Sequence, residues 1–428
     1  MDLTRLPIMF ATTCLLLAGC VSTSQVDPVV VAATAPESEA EAIARLRHAS
    51  ERFEKRPFVP GNAVSLLRDG PSTYAALLRA IDGAKRRIDM ESYQFDTRAA
   101  PIFAAALIHK ARQNVAVHLI YDSWGSMSQD SALFDQMREA GVQVLPYNPL
   151  GAGLKFDIDL NRRDHRKLLV VDDRIVITGG VNVTGVYLNP KGTASDDPDH
   201  MAWRDTDVEI TGPVVAQFAA IWAQTWDEQH GPALPPGPAT PATPRGPTTV
   251  QAIDGAPVNK HAAIYETLLA AFALAKTSIH LTSGFFVPPP DMNRALKAAA
   301  RRGVDVAVIV PGQSDSDAAR DAGRADYTDL LAAGVRIYER QDVVLHAKTA
   351  VVDGMWSTVG SSNLDWRSTT LNKEIDAAMV GAAFGGKMEA MFRDDIAGSK
   401  RITREAWARR GLGERVKEGL ATLIARLL

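Results

Sequence analysis

The stretch HRKLLVVD, His165 to Asp172, decides how this chain is read, because HAKTAVVD, His346 to Asp353, repeats its pattern 181 positions later. Both copies run His-x-Lys, four residues, Asp. The apolar runs LLVV and TAVV predict buried strands, and side chains two apart on a strand share a face. His165 and Lys167 are therefore expected to point the same way, as are His346 and Lys348. Asp172 and Asp353 each open a turn-like pair, Asp172-Asp173 and Asp353-Gly354, between two β-runs, so they are expected to fix a hairpin rather than touch a substrate. After each hairpin come Gly179-Gly180-Val181-Asn182 and Gly360-Ser361-Ser362-Asn363. Small residues there would let backbone approach a ligand, and each Asn can donate to an oxyanion.

Outward from these copies the chain repeats as a whole. RRIDMESYQF, a helical run, VAVHLIYD and a second helix ending in REAGVQVLPY precede the first motif. KTSIHLTSGFFVP, NRALKAAARRG, VDVAVIVPG and a helix ending in LAAGVRIYER precede the second. Strands separated by helices predict an α/β fold with mostly parallel pairing. The expected architecture is two similar lobes of mixed β-sheet flanked by helices, related by a pseudo-two-fold axis, with the site between them. The expected divisions are a signal over 1–20, a tether over 21–61, a first lobe over 62–230, a linker over 231–250 and a second lobe over 251–428. The linker reading rests on seven prolines in the seventeen residues Gly231 to Pro247, which sustain neither a helix nor a central strand. At the C-terminus, Val416, Leu420, Leu423, Ile424, Leu427 and Leu428 follow helical spacing. They predict an amphipathic helix whose apolar face packs on the second lobe or rests on lipid.

Composition narrows the class. A chain that is 46% hydrophobic and 23% charged with a net charge of -3 is globular and is not held to nucleic acid by bulk charge. Its two cysteines, Cys14 and Cys20, both lie in the first twenty residues, so the body has no disulfide and no thiolate metal site. Ile8 to Ala18 is an apolar run too short to span a bilayer comfortably and fits an export signal. Leu17 to Cys20, LAGC, resembles a bacterial lipobox and implies lipidation at Cys20. The acidic stretch Asp196 to His200 reads as a solvated loop rather than a cation site.

If the halves pack about a two-fold axis, one cleft receives two His, two Lys and two Asn. That set suits phosphodiester transfer. One imidazole attacks phosphorus and the other protonates the leaving alkoxide, then deprotonates the incoming alcohol or water. Lysines and asparagines hold the non-bridging oxygens. This chemistry calls for no metal and no cofactor, since the lysines supply positive charge. The candidate catalytic set is thus His165, Lys167, Asp172, His346, Lys348 and Asp353, with Asn182 and Asn363 as phosphate-binding residues. The remaining histidines, such as His109, His118 and His280, read as packing or surface residues without partners.

The two HxKxxxxD motifs, each followed by G-[GS]-x-N, resemble the phospholipase D superfamily, and within it the bacterial cardiolipin synthases. LNRRDHRKLLVVDDRIVITGGVN, WRDTDVEITGPVV, SGFFVPP and GSSNLDWRSTTLNKEID carry the resemblance. It implies a two-lobed fold, a phosphohistidine intermediate, a phospholipid substrate with phosphatidylglycerol foremost, and no metal. It also implies that an acidic residue downstream of each motif orients a histidine, here Asp205 and Glu374, raising the pKa of its imidazole. The chain departs from the synthases at Gly284-Phe285, where they often have Pro-Tyr, and in a lipoprotein start where many have membrane helices. A phospholipase D passing the same intermediate to water, and a nuclease of the same superfamily, are the alternative activities; a catalytically dead binding module conflicts with two complete motif sets. The expected setting is the bacterial envelope, lipid-anchored on its periplasmic face. Val21 after Cys20 favours the outer membrane in a Gram-negative cell, and no obligate protein partner is implied.

Overall fold

The computed structural model describes residues 37–149, 161–189, 201–237, 243–256 and 262–424. The expected signal segment with Cys20, the acidic stretch Asp196 to His200 and the last four residues lie outside the described residues. The chain enters through α1 (Glu39–Glu51), β1 (Val59–Leu67), α2 (Gly70–Gly83), β2 (Arg87–Ser92), α3 (Ala100–Ala111), β3 (Ala116–Asp122), α4 (Ser131–Glu139) and β4 (Gln143–Tyr147). The first motif hairpin is β5 (Lys167–Val171) and β6 (Ile175–Gly179), followed by β7 (Trp203–Arg204), β8 (Asp207–Thr211) and α5 (Val215–Glu228). The second half repeats this order as β9 (Thr248–Asp254), α6 (Ala263–Leu274), β10 (Ser278–Ser283), α7 (Pro290–Arg301), β11 (Asp305–Pro311), α8 (Asp317–Arg324), α9 (Tyr327–Ala332) and β12 (Arg336–Arg340). Then come β13 (Val344–Leu345), the second motif hairpin β14 (Lys348–Val352) and β15 (Trp356–Gly360), α10 (Trp366–Thr370) and β16 (Ile375–Val380). The chain closes with α11 (Ala382–Ala397), β17 (Ser399–Ile402), α12 (Arg404–Ala408) and α13 (Leu412–Ile424).

The halves share one fifteen-stranded sheet, joined where β1 pairs antiparallel with β9. The sheet is mixed rather than mostly parallel. Only β2–β3–β4 and β10–β11–β12 pair parallel, and each of these steps runs through a helical crossover, as parallel pairing requires. Each motif strand instead turns back through a short hairpin, with three residues between the paired Val171 and Ile175 and between the paired Val352 and Trp356. Alternation along the buried first motif strand sends Leu168 and Val170 to one apolar core and Leu169 and Val171 to another. The core holding Leu168 and Val170 also contains Val351, Val359, Ile375 and Ala377 of the second half. The two motif hairpins are therefore pressed together by apolar side chains from both lobes, with α5 and α11 contributing Trp222 and Met388 to the same core.

The expected tether is folded over much of its length. Ser38 caps α1 with a reciprocal bond to Glu41, Leu46 is fully buried in the second-lobe core, and Arg45 bonds Asp353 at 2.9 Å. An Ala- and Glu-rich segment reads as a spacer when only its composition is weighed; its apolar residues are few but lie on one face. Likewise β1 starts inside the expected tether and β9 starts inside the expected linker.

Asp172 and Asp353 stand apart from the histidines. Asp172-Asp173 and Asp353-Gly354 all have positive φ, between 54° and 64°, the conformation of a type I′ hairpin turn. The carboxylate of Asp172 accepts the backbone N–H groups of Lys85, Arg86 and Arg87 at 2.7 to 2.9 Å. Asp353 does the same for Lys276, Thr277 and Ser278. Five strand residues at about 3.3 Å each lie between aspartate and histidine, so the two motif aspartates drop out of the candidate catalytic set and clamp the far end of each hairpin. These contacts hold the Asp353 carboxyl below its ordinary pKa despite burial, so its stabilisation is present above about pH 4 and lost as the pH falls through the depressed value. Asp353→Ala is expected to cost about 2–4 kcal/mol of stability, read as a lower denaturation midpoint with unchanged slope, while the folded fraction keeps its turnover.

Candidate active site

The two histidines are brought together by a crossed exchange of short strands. β13, just before His346, pairs in parallel with β7 of the first lobe, and the His346 N–H donates to the Arg204 carbonyl at 2.8 Å. On the other side Asp164 bridges Lys373 in parallel, and the His165 N–H donates to the Lys373 carbonyl at 2.9 Å. Each exchange delivers the next residue of the donor segment to the opposite histidine. Asp205 Oδ2 lies 2.7 Å from His346 Nδ1, and both oxygens of Glu374 lie 3.0 Å from His165 Nδ1. The carboxylate downstream of each motif thus serves the histidine of the other copy.

The surroundings of the two pairs differ. Asp205 Oδ2 also accepts the Tyr187 hydroxyl at 2.7 Å, and Asp205 Oδ1 accepts the Thr206 N–H at 2.8 Å. The Tyr187 hydroxyl is itself 3.2 Å from His346 Nδ1. Burial raises the Asp205 pKa, but the neighbouring His346, Lys348 and these donors outweigh it, and the net direction is down. Glu374 accepts the Ser361 hydroxyl at 2.5 Å, and burial wins, pushing its carboxyl up to about 7. The expectation that the carboxylates raise both imidazole pKa values does not hold. Burial and the adjacent lysine charges push His346 down to about 4 and His165 well below its ordinary range.

Lys167 and Lys348 each donate back to the carbonyl of their own histidine, and Lys167 also lies over the Tyr93 ring at 5.2 Å. Both ammonium groups are buried near one another, and burial lowers both, Lys167 to about 7. Asn182 and Asn363 are buried with their amide oxygens unpartnered. The glycines before them have a different use from the one expected. A Cβ on Gly180 would stand 2.1 Å from Asp205 Oδ1, and one on Gly360 would stand 1.9 Å from Asp376 Oδ1. They let backbone approach buried carboxylates rather than a ligand.

Several residues of the site escaped the sequence reading. Tyr187 and Ser361 are two; Tyr93, edge-on to His165 at 5.0 Å between ring centres, is a third. Asp207 and Asp376 are buried two residues beyond Asp205 and Glu374, and they take N–H donors from Val181 and Ser362. Burial and the nearby carboxylate push Asp376 up to about 8 and Asp207 well above its ordinary value. The available signal was the acidic i, i+2 pair present in both copies, DTD and EID. His118 and His280 are not partnerless: each places Nδ1 2.7 Å from a carboxylate, of Asp89 and Glu389 respectively, though neither is at the site.

Two buried lysines suit the site to an anion, with their charge only partly present at neutral pH. Binding an anion favours the charged ammonium of Lys167, so above about pH 7 binding must take up a proton. Sulfate, whose charge is constant in this range, should bind with a Kd that is flat below about pH 6.5 and rises toward tenfold per unit above about pH 7. Calorimetry in buffers of different ionisation enthalpy should register that proton; a Kd independent of pH up to about 9 would contradict the depressed lysine.

The chain matches the family described as "Cardiolipin synthase, PLD-like domain" twice, over residues 77–222 and 268–396. It is 31% identical over 370 residues to the probable cardiolipin synthase YwiE of Bacillus subtilis, covering 85% of this chain and 72% of that one. It is 33% identical over 380 residues to cardiolipin synthase A of Pectobacterium atrosepticum, covering 86% and 76%. The crystal structure of phosphatidylserine synthase from Haemophilus influenzae superposes with a TM-score of 0.67 at 14% identity, over 89% of this chain and 97% of that one, a likeness of fold. Two PLD-like domains in one chain, with both HxK motifs at their junction, make this protein a member of the phospholipase D superfamily, and the family it belongs to there is that of the cardiolipin synthase-type phosphatidyltransferases.

Proposed function

We propose that the enzyme transfers a phosphatidyl group from one phosphatidylglycerol to the hydroxyl of another, releasing glycerol, through a covalent intermediate on His165. The observation that carries this is the crossed pairing of two histidines with two carboxylates beside two buried lysines. His165 Nε2 attacks phosphorus while Glu374 holds its other nitrogen. His346 gives a proton to the departing glycerol oxygen, then takes one from the incoming hydroxyl, which displaces His165. The difference between the pairs supports this division. Asp205, held ionised despite burial chiefly by the charges of His346 and Lys348 with Tyr187 donating to it, offsets part of the burial that lowers His346, and the anionic phosphate of a bound substrate favours the imidazolium further. Glu374, with its pKa near 7, suits a histidine that begins neutral. Lys167, Lys348, Asn182 and Asn363 are assigned to the non-bridging oxygens, where the charge of the five-coordinate transition state develops.

The same reading sets the enzyme at the periplasmic face of the envelope, held by acylated Cys20, with the outer membrane favoured in a Gram-negative cell; the apolar run from Ile8 and the LAGC stretch support it. Among the described residues no helix is long and apolar enough to cross a membrane.

Incubating the protein with phosphatidylglycerol labelled in its headgroup and phosphate should yield cardiolipin and free glycerol. Phosphatidic acid as the main product would instead assign the intermediate to water. His346→Ala should lower turnover about a hundred- to ten-thousand-fold, and His165→Ala should abolish it together with any acid-labile phosphohistidine. Phosphate trapped only on His346 would reverse the two roles.

A further inference from the structure

Nine large apolar side chains are exposed among the described residues, and their distribution is one-sided. Trp124 and Met127 lie on the loop that leaves β3. Leu188 follows Asn182, Trp366 follows Asn363, and Ile102 stands on the first turn of α3. β2 and β3 run in parallel and end at Ser92 and Asp122, and Ser92 pairs with Lys167 at the start of β5. β6 and β15 run back to the same end. All five side chains therefore leave the sheet at the end that carries the histidines.

The other four, Leu412, Val416, Leu420 and Leu423, lie along one face of α13, and Leu412 and Leu423 are 79% and 77% exposed. Of the two readings of this face, packing on the second lobe does not occur at these four residues. α13 lies against α8 and buries Glu418 and Ala421 instead. α8 follows β11 at the histidine end, with Gly323 against the Phe286 carbonyl, and the neighbouring Phe285 stands edge-on to His346, 6.2 Å between ring centres. None of the nine lies at the end that carries the Asp172 and Asp353 turns.

Charge follows the same side. Residues 400–418 hold seven basic and three acidic side chains in a chain of net charge -3, and Arg404, Arg409, Arg415 and Lys417 are exposed, the last two on α13 itself. An apolar helical face flanked by Lys and Arg is the composition of a helix lying in a membrane interface, and exposed tryptophans, here Trp124 and Trp366 at the histidine end, are enriched at such interfaces.

We propose that the histidine end docks on an anionic phospholipid surface, with the apolar face of α13 and the exposed Trp124, Leu188 and Trp366 entering the headgroup boundary around the cleft. The proposal rests on the phospholipid reading above. A protein covering these separated loops would close the cleft they surround. The phase that contains the substrate can cover them and still feed the site.

The test uses the full-length protein and vesicles of phosphatidylcholine and phosphatidylglycerol carrying bromine on the acyl chains, which quenches only tryptophans that enter the bilayer. A lipid anchor alone would hold the protein near the vesicles without quenching. The parent protein should be quenched, and Trp124→Phe/Trp366→Phe should remove the quenched component. Leu420→Ser/Leu423→Ser should raise the vesicle concentration needed by about tenfold or more, with an unchanged melting temperature and unchanged turnover of dihexanoyl phosphatidylglycerol below its micellar concentration. If that variant does melt early, Arg415→Glu/Lys417→Glu serves instead and should weaken quenching only in vesicles containing phosphatidylglycerol. Absence of quenching in the parent, or quenching unchanged in both variants, overturns the proposal. Quenching without turnover of any phospholipid upholds docking and overturns the functional reading.

Discussion

An imidazole removed from water loses the solvent that would otherwise fix its protonation and orientation, and the protein must supply both. Here each histidine is satisfied by a carboxylate from the opposite half of the chain, at 2.7 Å for Asp205 and 3.0 Å for Glu374. Much of the architecture follows from that requirement. The carboxylates reach across because β7 pairs with β13 and Lys373 pairs with Asp164. Those pairings are possible because the motif hairpins are pressed together through the Leu168, Val170, Ile375 and Ala377 core. Neither half can complete a site alone, so the repeat behaves as one unit despite its two-fold pattern.

The two-fold relation is broken where the chemistry needs it broken. The backbone exchange is nearly symmetric, with matching N–H bonds from His165 and His346. The groups behind the carboxylates are not: a tyrosine hydroxyl and an amide behind Asp205, a serine hydroxyl behind Glu374. A repeated fold supplies two equivalent positions; the His346 and Lys348 charges, with the Tyr187 donor, hold Asp205 down despite burial, whereas burial outweighs the donors to Glu374 and pushes it up. Nucleophile and proton carrier can then differ while the surrounding strands remain copies.

Much of this was legible in the sequence, and what was not shares a cause. Contacts between near neighbours could be read. The HxK strands, the turn role of Asp172 and Asp353 and the C-terminal helix carrying Val416 and Leu420 all announce themselves within a dozen residues, and the repeat follows from comparing such local patterns. The histidine partners are 209 and 141 positions away, so the acidic residues could be named by resemblance while the crossing of their assignments could not. The glycines illustrate the same limit: a small residue before Asn182 signals close approach but not whether a ligand or a carboxylate approaches. Composition misled at α1, whose few apolar side chains lie on the face that packs. At α13 the helical spacing was clear but left open what the apolar face meets, and solvent rather than protein lies over Val416, Leu420 and Leu423.

The crossed pairing is the claim on which the rest depends, and histidine nitrogen resonances test it directly. In protein labelled with 15N-histidine, and with His165 and His346 assigned by single substitutions, Asp205→Asn should move the Nδ1 resonance and hydrogen-bond signature of His346 while leaving those of His165 in place. Glu374→Gln should do the converse. If each substitution instead perturbs the histidine of its own half, Asp205 acting on His165 and Glu374 on His346, the exchange between lobes is contradicted, and the division of roles built on it fails as well.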